Sequence, residues 1–258
     1  MHTEVEGKRF VTSKMSRWRQ TVRCVGLGLV VGLAAAGAGC TGRLVSHAVE
    51  NEIEACLPNL IGPAQSYKVE VHGPAGKMLR GRIRQLVVYG KGVWAMPDLC
   101  LDALEVRMKD VVADPGSMAL ESIGEVAFET TILEKSLNEH LAHSRADGLR
   151  VELLDGRVIA LARPKVLGIP TNVRLTGSLA AREDKLDFLV DRFEVAGINT
   201  PSVAAKILED RINPVISLKL AGFSLELTSA KVMPGAVRIT GTAHPSGKTW
   251  EARNNNRK

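Results

Sequence analysis

Apolar and polar residues follow two different periods along this chain, and the changes of period mark the predicted elements. Between residues 43 and 61, apolar side chains recur every three or four positions, as in an amphipathic helix, and Gly62-Pro63 ends it. The same spacing predicts a second helix over residues 132–144. A third helix is predicted to begin at Thr200-Pro201, with Thr200 as its N-cap.

Most of the remaining chain alternates apolar and polar residues. This alternation is typical of antiparallel strands that have one face in the core and one in solvent. Turn signals at Asp155-Gly156, Glu183-Asp184 and Pro234-Gly235 separate successive strands. Strands are predicted around residues 67–71, 81–89, 104–108, 126–130, 151–153, 158–162, 173–179, 186–190, 223–227 and 237–241. The predicted class is α+β, a long meander of antiparallel sheet with amphipathic helices spaced along it.

The first 40 residues have the layout of an export signal. Basic residues from Arg17 to Arg23 precede an uncharged apolar stretch over residues 25–36, and small residues at 37–39 come directly before Cys40. This order is typical of secreted proteins. The apolar stretch is shorter than the roughly 20 residues that a membrane-spanning helix needs. Residues 1–40 are therefore predicted to be a signal peptide that plays no part in the fold.

Cys40 lies where a bacterial lipoprotein has its lipidated cysteine. The sequence before it resembles a lipobox, although the leucine that usually stands three positions earlier is replaced by Gly37. Lipidation of Cys40 would supply the two or more acyl chains that stable anchoring requires. Ordinary cleavage near this position and a retained signal anchor are the alternatives. We expect an exported protein of the periplasm or outer envelope, anchored to a membrane through Cys40.

The formal net charge of +6 on the 258-residue chain comes mostly from the signal segment. Residues 1–40 contain six basic and two acidic residues, so the remaining chain has a net charge of +2. Because this small charge is spread evenly, no nucleic-acid partner is expected. The 45% hydrophobic content is that of a globular protein. We expect a single domain over residues 41–245 and a disordered basic tail over 246–258.

Two cysteines remain once Cys24 and Cys40 are assigned to the signal and the anchor. Cys56 and Cys100 could form a disulfide in an oxidising compartment, or could both stay as buried thiols. Neither lies near a second cysteine or a histidine at the spacing of zinc ligands. We therefore expect no metal site and no cofactor.

Catalytic motifs are sparse in this sequence. His140 and His143 could share one face of the second predicted helix, but no accompanying carboxylate motif supports a metal site, and we expect both to be exposed. Asp110 and Asp114 would need a sugar-binding cleft to act as paired acids, and aromatic residues make up only 4% of the chain. Neither a nucleophile elbow nor a phosphate-binding loop occurs. We expect that the protein is not an enzyme.

Several segments, taken in order, resemble the LmeA-like phospholipid-binding proteins of the bacterial envelope. They are the export signal, the first amphipathic helix, and residues 78–88, 90–93, 104–111, 212–214 and 232–241. The resemblance covers roughly residues 43–243. It implies a twisted sheet curled around a helix, similar to the tubular lipid-binding fold of the bactericidal permeability-increasing proteins. It also implies phospholipid binding in the periplasm or outer envelope.

The leading hypothesis is a non-enzymatic protein that binds phospholipid acyl chains in an elongated apolar slot and serves envelope lipid or lipoglycan maintenance. Desolvation of the chains would contribute about 0.8 kcal/mol for each buried CH₂. The candidate lining residues are the alternating aliphatic residues Val69, Val71, Leu104, Val106, Met108, Leu175 and Leu186. One alternative is a structural or scaffolding envelope lipoprotein with a packed core and no ligand. Another is an envelope hydrolase, which would require acids and histidines to meet in one cleft.

Overall fold

The computed structural model describes residues 41–114, 120–144, 148–166, 169–199, 206, 209, 212–218 and 223–245. The predicted signal peptide, Cys40 and the basic tail lie outside the described residues. Most of the predicted third helix also lies outside them, although the described Lys206, Glu209 and Ile212 are helical.

Three helices have described bounds: α1 (Thr41–Leu60), α2 (Ala75–Met78) and α3 (Glu134–Ser144). The first predicted helix is confirmed as α1. The second was predicted two residues too long at its start, because Ile132 and Leu133 belong to a strand. Ile132 pairs with Val237 and is fully buried. The four-residue spacing of Leu133 from Leu137 suits a helix, but pairing with a distant strand decides the conformation of this segment. No described helix combines the length and the apolar character needed to cross a membrane.

The described strands cover most of the predicted alternating segments. They are β1 (Ser66–His72), β2 (Arg82–Met96), β3 (Leu99–Ala113), β4 (Leu120–Ser122), β5 (Glu125–Leu133), β6 (Arg150–Leu154), β7 (Arg157–Ala162), β8 (Lys165–Val166), β9 (Ile169–Pro170), β10 (Val173–Arg182), β11 (Lys185–Val195), β12 (Ile198–Asn199), β13 (Ile216–Ser217), β14 (Phe223–Met233) and β15 (Ala236–Pro245).

Two antiparallel sheets contain most of these strands. The first sheet has the order β1-β2-β3-β5-β15-β14, with β4 beside β3. The second has the order β12-β11-β10-β7-β6, with β13 beside β11, while β8 and β9 pair separately. After β5 the chain forms α3 and the second sheet, and then returns to the first sheet through β14 and β15, of which β15 pairs with β5. The α+β class with antiparallel sheets is therefore confirmed.

Apolar side chains form two clusters rather than one. The larger cluster joins the inner faces of the two sheets and α3, and includes Leu104, Leu137, Leu175 and Ile239. The smaller cluster lies where α1 and α2 cover β1, β2 and β3, and includes Leu57 from α1. The first sheet therefore contributes its apolar face to both clusters.

The possible Cys56–Cys100 disulfide is not formed within the described part of the chain. The two residues lie on different elements, Cys56 on α1 and Cys100 on β3, and both are half-buried. Burial raises the pKa of the Cys100 thiol, and the neighbouring Asp102 and Glu139 carboxylates raise it further. Cys100 is thus a half-buried thiol with reduced acidity.

Candidate functional site

Apolar residues on the inner face of the first sheet are in register across four strands. Residues that pair directly in antiparallel strands point to the same face, so each row forms a continuous apolar band. The two neighbouring rows are Val69–Val88–Val106–Phe128 and Val71–Leu86–Met108–Val126.

Part of this face stays half-buried between the two clusters. Val106 and Tyr67 pack against both clusters, Met108 packs only against the smaller one, and Phe128 packs only against the larger one. All four side chains are half-buried. We call this group, Tyr67, Val106, Met108 and Phe128, the seam. It is an apolar strip that neither the helices at one end nor the second sheet at the other covers completely.

Both aromatic rings of the seam lie opposite a glycine. Phe128 pairs with Gly241 of β15, where a Cβ atom would come within 2.6 Å of Phe128 Cζ. Tyr67 pairs with Gly90 of β2, where a Cβ atom would lie 3.0 Å from Tyr67 Cε1. Each ring therefore occupies space that a side chain on the neighbouring strand would fill.

A backbone contact fixes one end of the seam. The hydroxyl of Tyr67 donates a hydrogen bond to the Gly62 carbonyl oxygen at 2.7 Å, just after α1. Burial raises the pKa of this phenol, so the hydroxyl is protonated at neutral pH and keeps its role as a donor. The polar atom of Tyr67 is thereby satisfied without breaking the apolar character of the strip.

Helix α1 lies along the free edge of β1, next to the seam. The Glu54 Oε1 atom accepts the Val69 N–H at 2.7 Å, and Glu50 Oε1 accepts the Val71 N–H at 3.0 Å. These carboxylates satisfy backbone donors that an edge strand would otherwise expose. They also fix the distance between α1 and the sheet, so the position of the helix sets how much of the seam is covered.

The predicted lining residues do not all lie together. Val106 and Met108 belong to the seam. Val69 and Val71 are buried in the smaller cluster, and Leu104 is buried in the larger one. Tyr67 and Phe128 were missed as lining residues. Tyr67 lies in the same strand as the predicted Val69, and Phe128 pairs with the predicted Val106.

Two further candidates lie in the second sheet. Leu175 and Leu186 are fully buried in the larger cluster. The apolar space nearby, beneath α3, measures only ≈ 10 Å³ and is lined in part by Leu137, Leu141 and Phe188. A space of that size is about enough for one water molecule and not for an acyl chain.

The histidine prediction is wrong for one residue. His140 has only 13% of its side chain exposed, and its Nδ1 atom lies 3.1 Å from Asp98 Oδ2 in the turn between β2 and β3. His143 is exposed, and its Nδ1 atom lies 2.8 Å from the Glu139 carbonyl oxygen. The two imidazoles thus have different surroundings. The turn that supplies Asp98 comes from a distant segment, so helical spacing alone gave no signal for this contact.

The two acidic candidates lie towards the end of β3. Asp110 lies within β3 in the left-handed region, with φ 50°, and Asp114 follows the end of that strand. Across the described ranges, no three histidine, cysteine or carboxylate side chains come together as a metal site.

One family model matches most of the chain. The model of the LmeA-like phospholipid-binding family matches residues 40–242, and this range contains the whole seam. The chain belongs to that family. The family resemblance noted in the sequence is therefore confirmed. Comparisons with curated proteins and with solved structures gave no match.

Proposed function

We propose that this member of the LmeA-like family binds phospholipid by placing its acyl chains along the seam. The observation that carries the proposal is the half-buried apolar strip between two packed clusters, on a chain of a phospholipid-binding family. A soluble domain normally covers such a strip, and incomplete cover favours an apolar ligand.

The energetic reason is desolvation. Each CH₂ group that leaves water for the seam contributes about 0.8 kcal/mol, so ten contacting carbons contribute roughly 8 kcal/mol before the cost of immobilising the lipid is subtracted. The sheet row through Val106 continues over Phe128 to Gly241, a width of five strands. Val69, Val88 and Gly241 of this row are buried, so its half-buried part is Val106 and Phe128, which lie on adjacent strands about 4.8 Å apart. The headgroup would stay at the polar rim.

We propose further that the protein is exported and anchored through a lipidated Cys40. Helix α1 begins at the next residue. An anchor at Cys40 would therefore hold α1, the helix beside the seam, at the membrane surface. We also propose that the first sheet curls around its helices in the manner of the tubular lipid-binding proteins. The binding is non-enzymatic and serves the maintenance of envelope lipids.

The direct test is native mass spectrometry of the chain from Thr41 to Lys258, which keeps every described residue and has no acyl chain of its own. We expect about one phospholipid per chain, identified by extraction of the same sample. Met108→Trp fills the seam with a larger side chain and should lower phospholipid occupancy at least tenfold. Retained occupancy in a folded Met108→Trp protein would contradict binding at the seam.

Arg107→Trp is the matched control. Arg107 precedes Met108 in β3 and points to the opposite, solvent-facing side, where its side chain is 62% exposed and forms an ion pair with Glu105. Loss of an exposed pair costs little stability. This variant should therefore bind phospholipid like the unmodified protein. Equal loss in both variants would indicate damage to the sheet rather than a blocked seam.

The scaffolding alternative also has an observation in its favour. Five of the seven predicted lining residues are buried in the clusters, so most of the interior is packed. A clean apo mass with no uptake of added phospholipid would support a structural lipoprotein and overturn the lipid-binding proposal.

A further inference from the structure

The seam leaves little open space for a phospholipid. Its four side chains are half-buried, and the neighbouring Val69, Val71 and Leu104 are buried. The apolar space beneath α3 measures only ≈ 10 Å³. A lipid-binding site covers most of its ligand, and two acyl chains need more apolar surface than these residues expose. Phospholipid binding at the seam therefore requires that an element covering the first sheet move.

The C-terminal end of α1 is firmly attached to β1 and β2. Leu57, in its last turn, is only 4% exposed. The Tyr67 hydroxyl donates to the Gly62 carbonyl oxygen at 2.7 Å. The Trp94 N–H donates to the Pro63 carbonyl oxygen at 2.9 Å. Gly62 has φ 145°, and a Cβ atom there would come within 2.1 Å of the Trp94 carbonyl oxygen, so only glycine allows this close approach.

The N-terminal part of α1 is attached more weakly. Leu44, in its first turn, is 68% exposed, and Val49 and Ile53 are half-buried. The Glu50 and Glu54 carboxylates link this part to β1 by accepting two backbone N–H groups. Because β1 is an edge strand, water can solvate these N–H groups when the carboxylates leave, so the loss costs little. The attachment of α1 thus weakens from its C-terminal to its N-terminal end.

We propose that α1 is a lid that pivots at Gly62-Pro63 and admits phospholipid to the seam. When its N-terminal part moves away from the sheet, Val69 and Val71 lose their cover and join Met108 in one apolar slot across β1, β2 and β3. Acyl chains then cover the apolar surface that the helix has left, which offsets the lost packing. The lid presupposes phospholipid binding at the seam and states how that same site opens.

Helix α3 is not suited to this movement. Its Leu137 and Leu141 are fully buried in the larger cluster, so displacing α3 would open the main core. The weakly attached end of α1 also follows directly after Cys40. The anchor proposed at Cys40 would place that end at the membrane, where phospholipid enters.

The test measures how fast the chain from Thr41 to Lys258 takes up pyrene-labelled phosphatidylglycerol from vesicles, by stopped-flow fluorescence. The double variant Glu50→Ala, Glu54→Ala removes both carboxylate contacts, so uptake should be about fivefold faster or more. Val49→Ala with Ile53→Ala removes apolar contacts of the same helix and should also accelerate uptake. Native mass spectra of both double variants should still show about one phospholipid per chain, because none of these residues belongs to the seam.

Glu134→Ala is the matched control, because Glu134 Oε2 accepts the Leu153 N–H at 2.7 Å from α3, which packs into the larger cluster. Its uptake rate should equal that of the unmodified chain. An unchanged rate in Glu50→Ala, Glu54→Ala, or equal acceleration by Glu134→Ala, would overturn the lid. Loss of bound phospholipid from the carboxylate double variant would overturn it too, since the carboxylates would then shape the site. Absence of uptake by the unmodified chain would instead refute phospholipid binding itself.

Discussion

Helices α1 and α3 each accept backbone N–H groups of an outer strand, in two different sheets, with side chains at the same spacing. On α1, Glu50 and Glu54 accept the N–H groups of Val71 and Val69 in β1. The acceptors are four residues apart on the helix, and the donors are two apart on the strand. Four helical residues rise about 6 Å and two strand residues about 6.7 Å, so the spacings match when helix and strand run antiparallel.

On α3, the same spacing is used with different chemistry. Glu134 Oε2 accepts the Leu153 N–H of β6 at 2.7 Å. The Asn138 side chain accepts the Val151 N–H at 2.7 Å and donates to the Val151 carbonyl oxygen at 2.9 Å. The amide therefore satisfies both backbone groups of one residue, whereas each carboxylate of α1 satisfies one.

The packing beneath the two helices differs as well. Leu137 and Leu141 of α3 are fully buried in the larger cluster. Val49 and Ile53 of α1 are only half-buried against the smaller cluster. The comparison shows that α3 packs into the core with fully buried leucines, while α1 packs against the sheet with half-buried side chains and borders the seam.

The strongest way to break this comparison is to remove packing from each helix. Leu141→Ala should lower the free energy of unfolding by about 2–5 kcal/mol, because it leaves a cavity in a packed core. Ile53→Ala should cost only about 1 kcal/mol, since the side chain is half-buried. Urea denaturation of both variants measures the difference. Equal losses would show that α1 is as much a part of the core as α3.

A smaller effect is expected from the edge contacts. Asn138→Ala leaves the N–H and the carbonyl oxygen of Val151 without their side-chain partner and should cost about 1–3 kcal/mol. Glu54→Gln keeps an oxygen that can accept the Val69 N–H, so its cost should stay below about 1 kcal/mol. Hydrogen exchange at Val151 and Val69 reports each edge directly. Faster exchange at Val69 in Glu54→Gln than at Val151 in Asn138→Ala would show that the Glu54 contact contributes more to stability than the Asn138 contacts.

The smallest expected effect concerns the Glu139 carboxylate of α3, which raises the pKa of the Cys100 thiol in β3. Because burial, with Asp102 and Glu139, raises the pKa of Cys100, alkylation just below the usual thiol pKa should be slower than for a free thiol. Glu139→Gln should lower that pKa and speed alkylation, as measured by mass spectrometry. The unfolded thiol loses its proton first, so this group lowers stability as pH rises above the unfolded pKa. An unchanged alkylation rate in Glu139→Gln would remove Glu139 as a cause.

The sequence predicted the elements better than their contacts. Alternation located β1, β2, β3 and β5, and the turns at Asp155-Gly156, Glu183-Asp184 and Pro234-Gly235 separate strands as expected. Short elements such as α2 and β12 were missed, because a few residues carry no measurable period.

The candidate site was only partly predictable. Alternation placed Val106 and Met108 on the apolar face of β3, but it equally favoured Leu175 and Leu186, which are fully buried. A period of two tells which face a side chain occupies and carries no information on what covers that face. His140 was misjudged for the same reason, since Asp98 reaches it from another element.

The sequence by itself determined the class of fold, the strand faces and the family. Val88 and Val106 show what only the tertiary structure decided: they pair directly and share one face, yet Val88 is fully buried and Val106 is half-buried. Val106 lies in a strictly alternating stretch and Val88 in the apolar run from Leu86 to Tyr89, but neither pattern tells what covers the face that they share. Their different exposure follows from α1 and the second sheet, which come from distant parts of the chain and end their cover on either side of Val106.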